Sequence, residues 1–433
     1  MKVLPYVGGL MKNILIRTVS TQIVATLALV AVTLTGANAT NTVLVDPVHP
    51  GSAFDSAAWA KVVAKARGET VSLWMWGGDP KGNAYVDKIL TPAAAKFGIK
   101  LRRVPIADTK DAINRVLIEK QAGSHRGAVD LIWVNGDNFR TGVQSGIWRC
   151  GWAQFLPNAK ALQPNDPVLT SDFGTPVNGC EAPWHKAQFT LVYNAANVKT
   201  PPSSLKDLFQ WVTVHPGRFT YPAPPDFTGS AFVRQSLYAV SGGYPNVPSR
   251  YSAGVFKRVT RPLWAELSSL TPYLWRKGET YPQTSVELDN LYSQGQVDFT
   301  MTYGPATLTK LVKDGTFPPS TKVLSLKEGT LGNASFLGLP NTSGSSAGAE
   351  VVANLALSPE QQAAKADPRI WGQFTVLDLT RLPTAKQSLF RKFPTSNIVP
   401  LFEVLSRNAN PELAAGWVGK LDNAWRASVL HAK

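Results

Sequence analysis

The sequence predicts an exported α/β protein of two domains, and three observations lead there. Its 433 residues exceed what one compact core usually organises. From Val71 onward, strand-like apolar runs alternate with helical patterns, the mark of parallel sheets with helical crossovers. Ahead of them stands a leader with the three parts of a secretory signal. With 44% hydrophobic and 17% charged residues, the composition is that of a globular chain, neither disordered nor fibrous.

Residues 1–39 read as a signal peptide. Lys12 and Arg17 give a positive flank, and Ile23 to Leu34 is an apolar run of about a dozen residues, short for a bilayer span. Ala37-Asn38-Ala39 supplies the small-x-small site, which places cleavage before Thr40 and the mature protein in the periplasm. A retained membrane anchor is the competing reading. No Cys follows the cleavage site, which argues against a lipid anchor, and Met11 is an alternative start. Cys150 and Cys180, both in the exported part, are expected to pair as a disulfide in an oxidising compartment. No His or third Cys sits at ligand spacing beside them, so no metal is expected there.

The chain carries a formal charge of +15, or +12 without the leader's Lys2, Lys12 and Arg17. Its basic residues are scattered singly, as in Lys61, Lys65 and Arg67, with no run and no RNA-binding signature. A solvated basic surface is therefore expected, and no nucleic-acid partner. The 13 tryptophans suit a core and also a cleft that holds small organic ligands.

The first strand, Val71 to Trp76, ends at Gly77-Gly78. A helix is expected over Asn83 to Phe97, with Gly98 as its stop, then a strand from Ile99 to Val104. Asp108 is a good N-cap for a helix bearing Ala112, Val116 and Leu117 and ending at Gly123. The third strand, Val129 to Val134, leads into Asn135-Gly136-Asp137-Asn138. In parallel sheets ligands bind beyond the carboxyl ends of the strands. That rule singles out Trp74, Trp76, Gly77 and Gly78 on one loop, with Asp79 next to them. It equally singles out Asn135, Gly136, Asp137 and Asn138 on the other, with Trp133 nearby.

Farther on, His185 to Asn194 reads as a strand leaving the first domain, and Leu205 to Val212 as an amphipathic helix. Tyr221 to Ser230 is a Pro-rich approach to a helix starting near Ser230. There Asp226, Thr228, Gly229 and Ser230 are expected either to cap that helix or to hold a ligand. Ser285 to Ser293 is a short helix, and the strand Val297 to Thr302 ends at Tyr303-Gly304-Pro305, another candidate rim. Ser335 to Pro340 is a second crossing strand. A helix over Ala349 to Leu357 follows, and two more helices end the chain.

The order of these elements resembles the type II periplasmic solute-binding proteins of ABC importers, in the cluster of iron, spermidine and thiamine binders, and within it the YnjB-like branch. The residues that carry the resemblance include Leu73-Trp74-Met75-Trp76-Gly77-Gly78, Val129 to Phe139, Phe189 to Asn194, Pro225 to Phe232, Gly295 to Phe299 and Leu357 to Gln361. Each motif is weak alone; their order and spacing over roughly 70–400 make the case. The resemblance implies an α/β, two-lobed, periplasmic-binding-protein-like fold hinged by two crossover strands. One lobe would span 40–190, the other 191–334, and 335–433 would return to the first lobe with C-terminal helices. It also implies a small-molecule solute held between the lobes, a membrane ABC permease and its ATPase as partners, a monomer, and no cofactor.

The sign of the solute's charge stays open. Asp79, Asp137 and Asp226, with Trp74, Trp76, Trp133 and Tyr303 near, suit an organic cation. Glycine-rich turns and a helix start with Thr228 and Ser230 suit an anion. The lean is to a cationic or polar organic solute. An iron site is not expected, because adjacent tyrosines are absent and the five His do not cluster. The competing classes are a secreted hydrolase and a carbohydrate-binding protein. No His-Glu-x-x-His or Gly-x-x-x-x-Gly-Lys occurs, so the protein is not expected to be an enzyme.

Overall fold

The computed structural model describes residues 55–430 except 394–395, 401–404 and 406–408. The predicted leader, 1–39, lies outside the described residues. In chain order the strands are β1 (Thr70–Trp76), β2 (Lys100–Ile106), β3 (Leu131–Val134), the two-residue strands β4 (Ser171–Asp172) and β5 (Thr175–Pro176), and β6 (Glu181–Gln188). Then come β7 (Thr190–Asn194), β8 (Phe299–Thr302), β9 (Thr321–Leu324), β10 (Leu331–Gly338) and β11 (Asn410–Pro411).

The first sheet runs β11-β10-β3-β1-β2, with β6 also paired to β10. β1 lies parallel to both β2 and β3, as the strand–helix alternation predicts. Val71, Leu73 and Met75 of β1 are fully buried, and Ser72 nearly so. Burial on both faces is why this strand reads as a continuous apolar run. Asp108 caps the helix Thr109–Gln121 through the Lys110 N–H (2.8 Å), which buries Ala112, Ile113 and Val116. A helix over Ser56–Ala66, inside a segment that reads as merely polar, is capped by Asp55 and lies against the helix Ser346–Ala356.

The second sheet has β7 between β8 and β9, antiparallel to both. The helices Leu205–Val214, Phe227–Val240, Ala253–Leu270 and Ser285–Ser293 build a separate hydrophobic core with it. Two cores on two sheets make the two lobes. The predicted strand from His185 to Asn194 is in fact two: β6 belongs to the first sheet and β7 to the second, with Phe189 alone between them. The return strand starts at Leu331, earlier than the predicted Ser335.

The two crossings are pinned to one another. Phe189 N–H donates to Leu331 O (2.8 Å) and Gln188 Nε2 to Thr330 O (2.9 Å), while Leu331 N–H is held by Gln235 Oε1 of the helix Phe227–Val240 (2.9 Å). The chain changes lobe once more between Phe390, packed on the first core, and Ile398, packed on the second. β11 then pairs with β10, and the helix Ala415–Trp425 sinks Trp417, Leu421 and Trp425 into the second core. The last helix thus docks on the second lobe. Cys150 and Cys180 form the expected disulfide.

Candidate functional site

The carboxyl ends of β1 and β3 open toward the second lobe. Trp76, the last residue of β1, is 46% exposed, and its ring lies across Gly78. A Cβ on Gly78 would come 2.2 Å from Trp76 Cζ2, so only glycine lets the indole lie there. Gly77 is fixed from both sides: its N–H donates to Ile106 O (2.9 Å), and its carbonyl accepts from Asn83 Nδ2 (2.8 Å). Trp74 does not reach this rim. Its indole N–H turns to Ala128 O (3.3 Å), and its ring packs on the first core. Asp79 caps the helix Pro80–Tyr85 and accepts the Trp371 indole N–H at 2.6 Å.

The segment after β3, expected as a loop, is the start of a helix, Gly136–Gln144, with Asn135 at its N-cap position. Asn135 makes no side-chain capping bond. The carboxylate of Asp172 takes its place, accepting the Gly136 N–H on both oxygens (2.9 and 2.8 Å). Asp137 is exposed and paired with Arg140 (2.9 Å), while Asn138 is half-buried. Trp133 packs edge-on against Trp184, His185 and Trp371, with ring centroids 5.3–6.0 Å apart. Burial and the Lys365 charge hold the His185 imidazole well below its ordinary pKa, so it sits neutral among these rings.

On the second lobe the helix starts at Phe227, with Asp226 as its cap. Asp226 Oδ1 accepts the N–H groups of Thr228 and Gly229 (2.9 Å each), and Oδ2 accepts that of Ser285 (3.1 Å). Of the two roles open to Asp226, the structure uses capping. Gly229 fits against Pro222 O, which a Cβ would approach to 2.0 Å. Ser230 is buried and donates to Asp422 (2.6 Å). Thr228 is buried as well. Phe227 is 50% exposed, and its ring rests on Tyr303 at a centroid distance of 4.9 Å.

Beneath Tyr303 lies a network that the sequence reading missed. Tyr303 donates to Glu412 (2.6 Å), and Arg234 grips the same carboxylate with Nε (2.8 Å) and Nη2 (3.1 Å). Arg234 Nη1 donates to Ser230 (2.7 Å). Both charged side chains are almost wholly buried. Burial and the Glu412 charge push the Tyr303 phenol well above its usual pKa, so it remains a donor. A signal did exist: Arg234 follows Phe232-Val233 on the helix's buried face, where a cation needs a buried partner.

The lobes meet across this crevice. Phe173, in the turn between β4 and β5, accepts the Ala415 N–H on its carbonyl (2.8 Å), and its ring lies 6.0 Å from the Arg234 guanidinium. A Cβ on Gly174 would meet Ala414 Cβ at 2.7 Å, and one on Gly372 would meet Ala306 Cβ at 2.5 Å. Trp371 ties that second contact to Asp79, just beyond Trp76, while Ala306 follows Tyr303. Trp76 on the first lobe and Phe227 on the second each carry an exposed aromatic ring.

Residues 88–378 match the family described as bacterial extracellular solute-binding protein. Over 368 residues the chain is 36% identical to protein YnjB of Escherichia coli strain K12, covering 85% of this chain and 92% of that one. The chain belongs to the bacterial extracellular solute-binding protein family. The resemblance read from the sequence is thereby borne out, and so is the fold. An ABC transporter structure from Clostridium perfringens superposes with a TM-score of 0.59 at 16% identity, covering 83% of this chain and 98% of that one. The spermidine/putrescine substrate-binding protein PotD of Streptococcus pneumoniae gives 0.58 at 14%, covering 84% and 100%. The ferric ion-binding protein A of Pasteurella haemolytica gives 0.54 at 13%, covering 82% and 97%. Among the described residues of this solute-binding protein, no helix is long and apolar enough to cross a membrane. None of its described His, Cys, Asp and Glu residues form a group that could hold a metal ion.

Proposed function

We propose that the protein is the solute-binding component of an ABC importer. It captures a small polar or charged solute between its lobes and delivers it, as a monomer in the periplasm, to a membrane permease driven by an ATPase. Residues 1–39 would direct export and be removed. The family supports the class, and the two pinned crossings, with an exposed aromatic ring on each lobe, support the mode of capture. The observation that carries the reading is the meeting of two lobes, each with its own core, through close contacts such as Gly372–Ala306 and Gly174–Ala414.

The solute would meet Trp76 and the Gly77-Gly78 backbone on one side and the Asn135–Asn138 turn beside them. Phe227, Thr228 and Tyr303 would face it from the other lobe. Closure would be a rigid-body motion about Phe189 and the segment before Leu331. Trp76→Ala, which leaves both cores intact, should weaken solute binding at least tenfold by calorimetry, on the scale of a lost aromatic platform of about 1.4 kcal/mol or more. Unchanged affinity in both Trp76→Ala and Asn138→Ala would place the site elsewhere. The described hollows elsewhere include one of about 320 Å³ by Ile99 and Leu101, and another of about 280 Å³ by Trp275 and Pro282.

A further inference from the structure

Basic residues that are scattered along the chain gather on the outer layer of the second lobe. The helix Phe227–Val240, buried along most of its length, lies inside this lobe, and the helices Ala253–Leu270 and Ala415–Trp425 both pack on it. Those two outer helices run side by side in the same direction. At their starts the Trp417 ring meets those of Tyr251 and Phe256, with centroids 5.9 and 5.6 Å apart. At their ends Ser268 Oγ donates to Ser428 O (3.0 Å), in the turn Arg426–Leu430 that continues the second helix. Helices packed against each other lie about 8–10 Å apart, axis to axis.

The outward faces of this pair are basic. Lys257 and Arg261 share a helical stripe with Ser268, so they stand on the flank that meets the last helix. Arg258 lies beside them, and Arg250 comes just before the helix. On the neighbour, Lys420 follows Trp417 by one turn and Arg426 follows Trp425 directly. All six residues are exposed, and among the described residues no carboxylate forms an ion pair with any of them. The two acids on these helices are turned elsewhere. Asp422 accepts the hydroxyl of Ser230 on the inner helix (2.6 Å), although it feels the Arg426 charge. Glu266 shares its stripe with Val259 and Pro262, on the flank away from the last helix. Between Asp226 and Glu266 the chain has no acidic residue at all.

A few cations on one helix are an ordinary solvated face. Two adjacent rows without counter-charges are different, because like charges at this range repel, and an anionic partner removes that cost. Neither described hollow, by Ile99 or by Trp275, lies on this face. A broad ridge of long, flexible side chains suits a fluid anionic surface, whereas a protein partner is held by anchor residues seated in pockets. We propose that this two-helix face of the second lobe docks the protein reversibly on anionic phospholipid headgroups, with Lys257, Arg261 and Lys420 as its central contacts. Attraction of this kind acts over a screening length of about 8 Å, so it holds a protein near a membrane without anchoring it. The face adds to the solute-binding reading and does not depend on where the solute sits.

Co-sedimentation of the purified protein with lipid vesicles is the test. Vesicles of phosphatidylglycerol and phosphatidylcholine in equal parts should bind it, and phosphatidylcholine alone should not. Binding should be clear in about 0.1 M salt and vanish in about 1 M, where the screening length falls from about 10 Å to about 3 Å. Lys257→Glu, Arg261→Glu and Lys420→Glu together should weaken binding by about tenfold or more, since each cation near a membrane surface counts for roughly fivefold. The same three positions changed to Gln serve if that variant folds poorly. Lys61→Glu, Lys88→Glu and Lys96→Glu, all exposed on the first lobe, give a control of equal net charge that should retain most of its binding. Equal weakening in the control would mean a general effect of charge and overturn the assignment to this face. No binding to the anionic vesicles, or binding that survives high salt, would overturn the proposal outright. Binding to polyglutamate but not to vesicles would make the partner an acidic protein and overturn the lipid assignment.

Discussion

Asp172 shows how burial turns a side chain into a titrating device. Its carboxyl moves from an ordinary value of 3.8 to about 7, chiefly through desolvation. The folded state thus holds the proton more tightly than the unfolded chain does. Its contribution to stability is greatest below about pH 4 and declines as pH rises to about 7, a loss of roughly 4 kcal/mol. Asn keeps an oxygen for the Gly136 N–H and cannot ionise. Asp172→Asn should therefore lose less stability than the parent between pH 4 and pH 8, as read by denaturant unfolding in the absence of solute. Parallel profiles for the two proteins would contradict this account of the site. None of this was legible in the sequence, where Asp172 sits in a loop rich in Pro, Gly and Asn. A carboxylate reveals its environment only once the fold has placed Gly136 beside it.

Among the elements, those with strong local signals were legible. β1, β2 and β3 appear within a few residues of expectation, and Asp108 caps the helix that follows it. Where local signals conflict, tertiary packing decides. Asn135–Asn138, at the start of the helix Gly136–Gln144, reads as a loop in the sequence, and Gly136, Asp137 and Asn138 are poor helix formers. The helix forms because Phe139 is buried and Asp172 supplies the missing cap. The helix Ala253–Leu270 is long but carries Pro262, an ordinary breaker, in its interior. β9, of four residues, is too short for its alternation to stand out. The staple Cys150–Cys180 was legible, since an exported chain with two cysteines leaves one intramolecular pairing. It closes a loop across 30 positions, so Cys150→Ser with Cys180→Ser should lower stability by about 3 kcal/mol in urea unfolding. An unchanged midpoint would mean that the β4–β5 region is held by its packing alone.

For the whole molecule, the sequence carried the class and the parallel sheet, and the order of motifs carried the two-lobed plan. It did not carry the last exchange between lobes or the docking of Ala415–Trp425 on the second core, because long-range pairing leaves no local pattern. The site was legible in part. The rule that ligands meet parallel strands at their carboxyl ends singles out Trp76 and Gly78, which the proposed site uses. It also draws in Trp74, and the helix start after the Pro-rich segment draws in Asp226 and Ser230; the fold spends the polar groups of all three on its own packing and caps. Phe227, Glu412 and Asp172 were missed because their relevance depends on the facing lobe. Everything proposed for the crevice depends on the lobes moving as bodies about Phe189 and the stretch before Leu331. Small-angle X-ray scattering of the purified protein with and without its stabilising solute tests this most directly. A smaller radius of gyration with bound solute is predicted, and an unchanged radius at saturation would contradict capture by lobe closure.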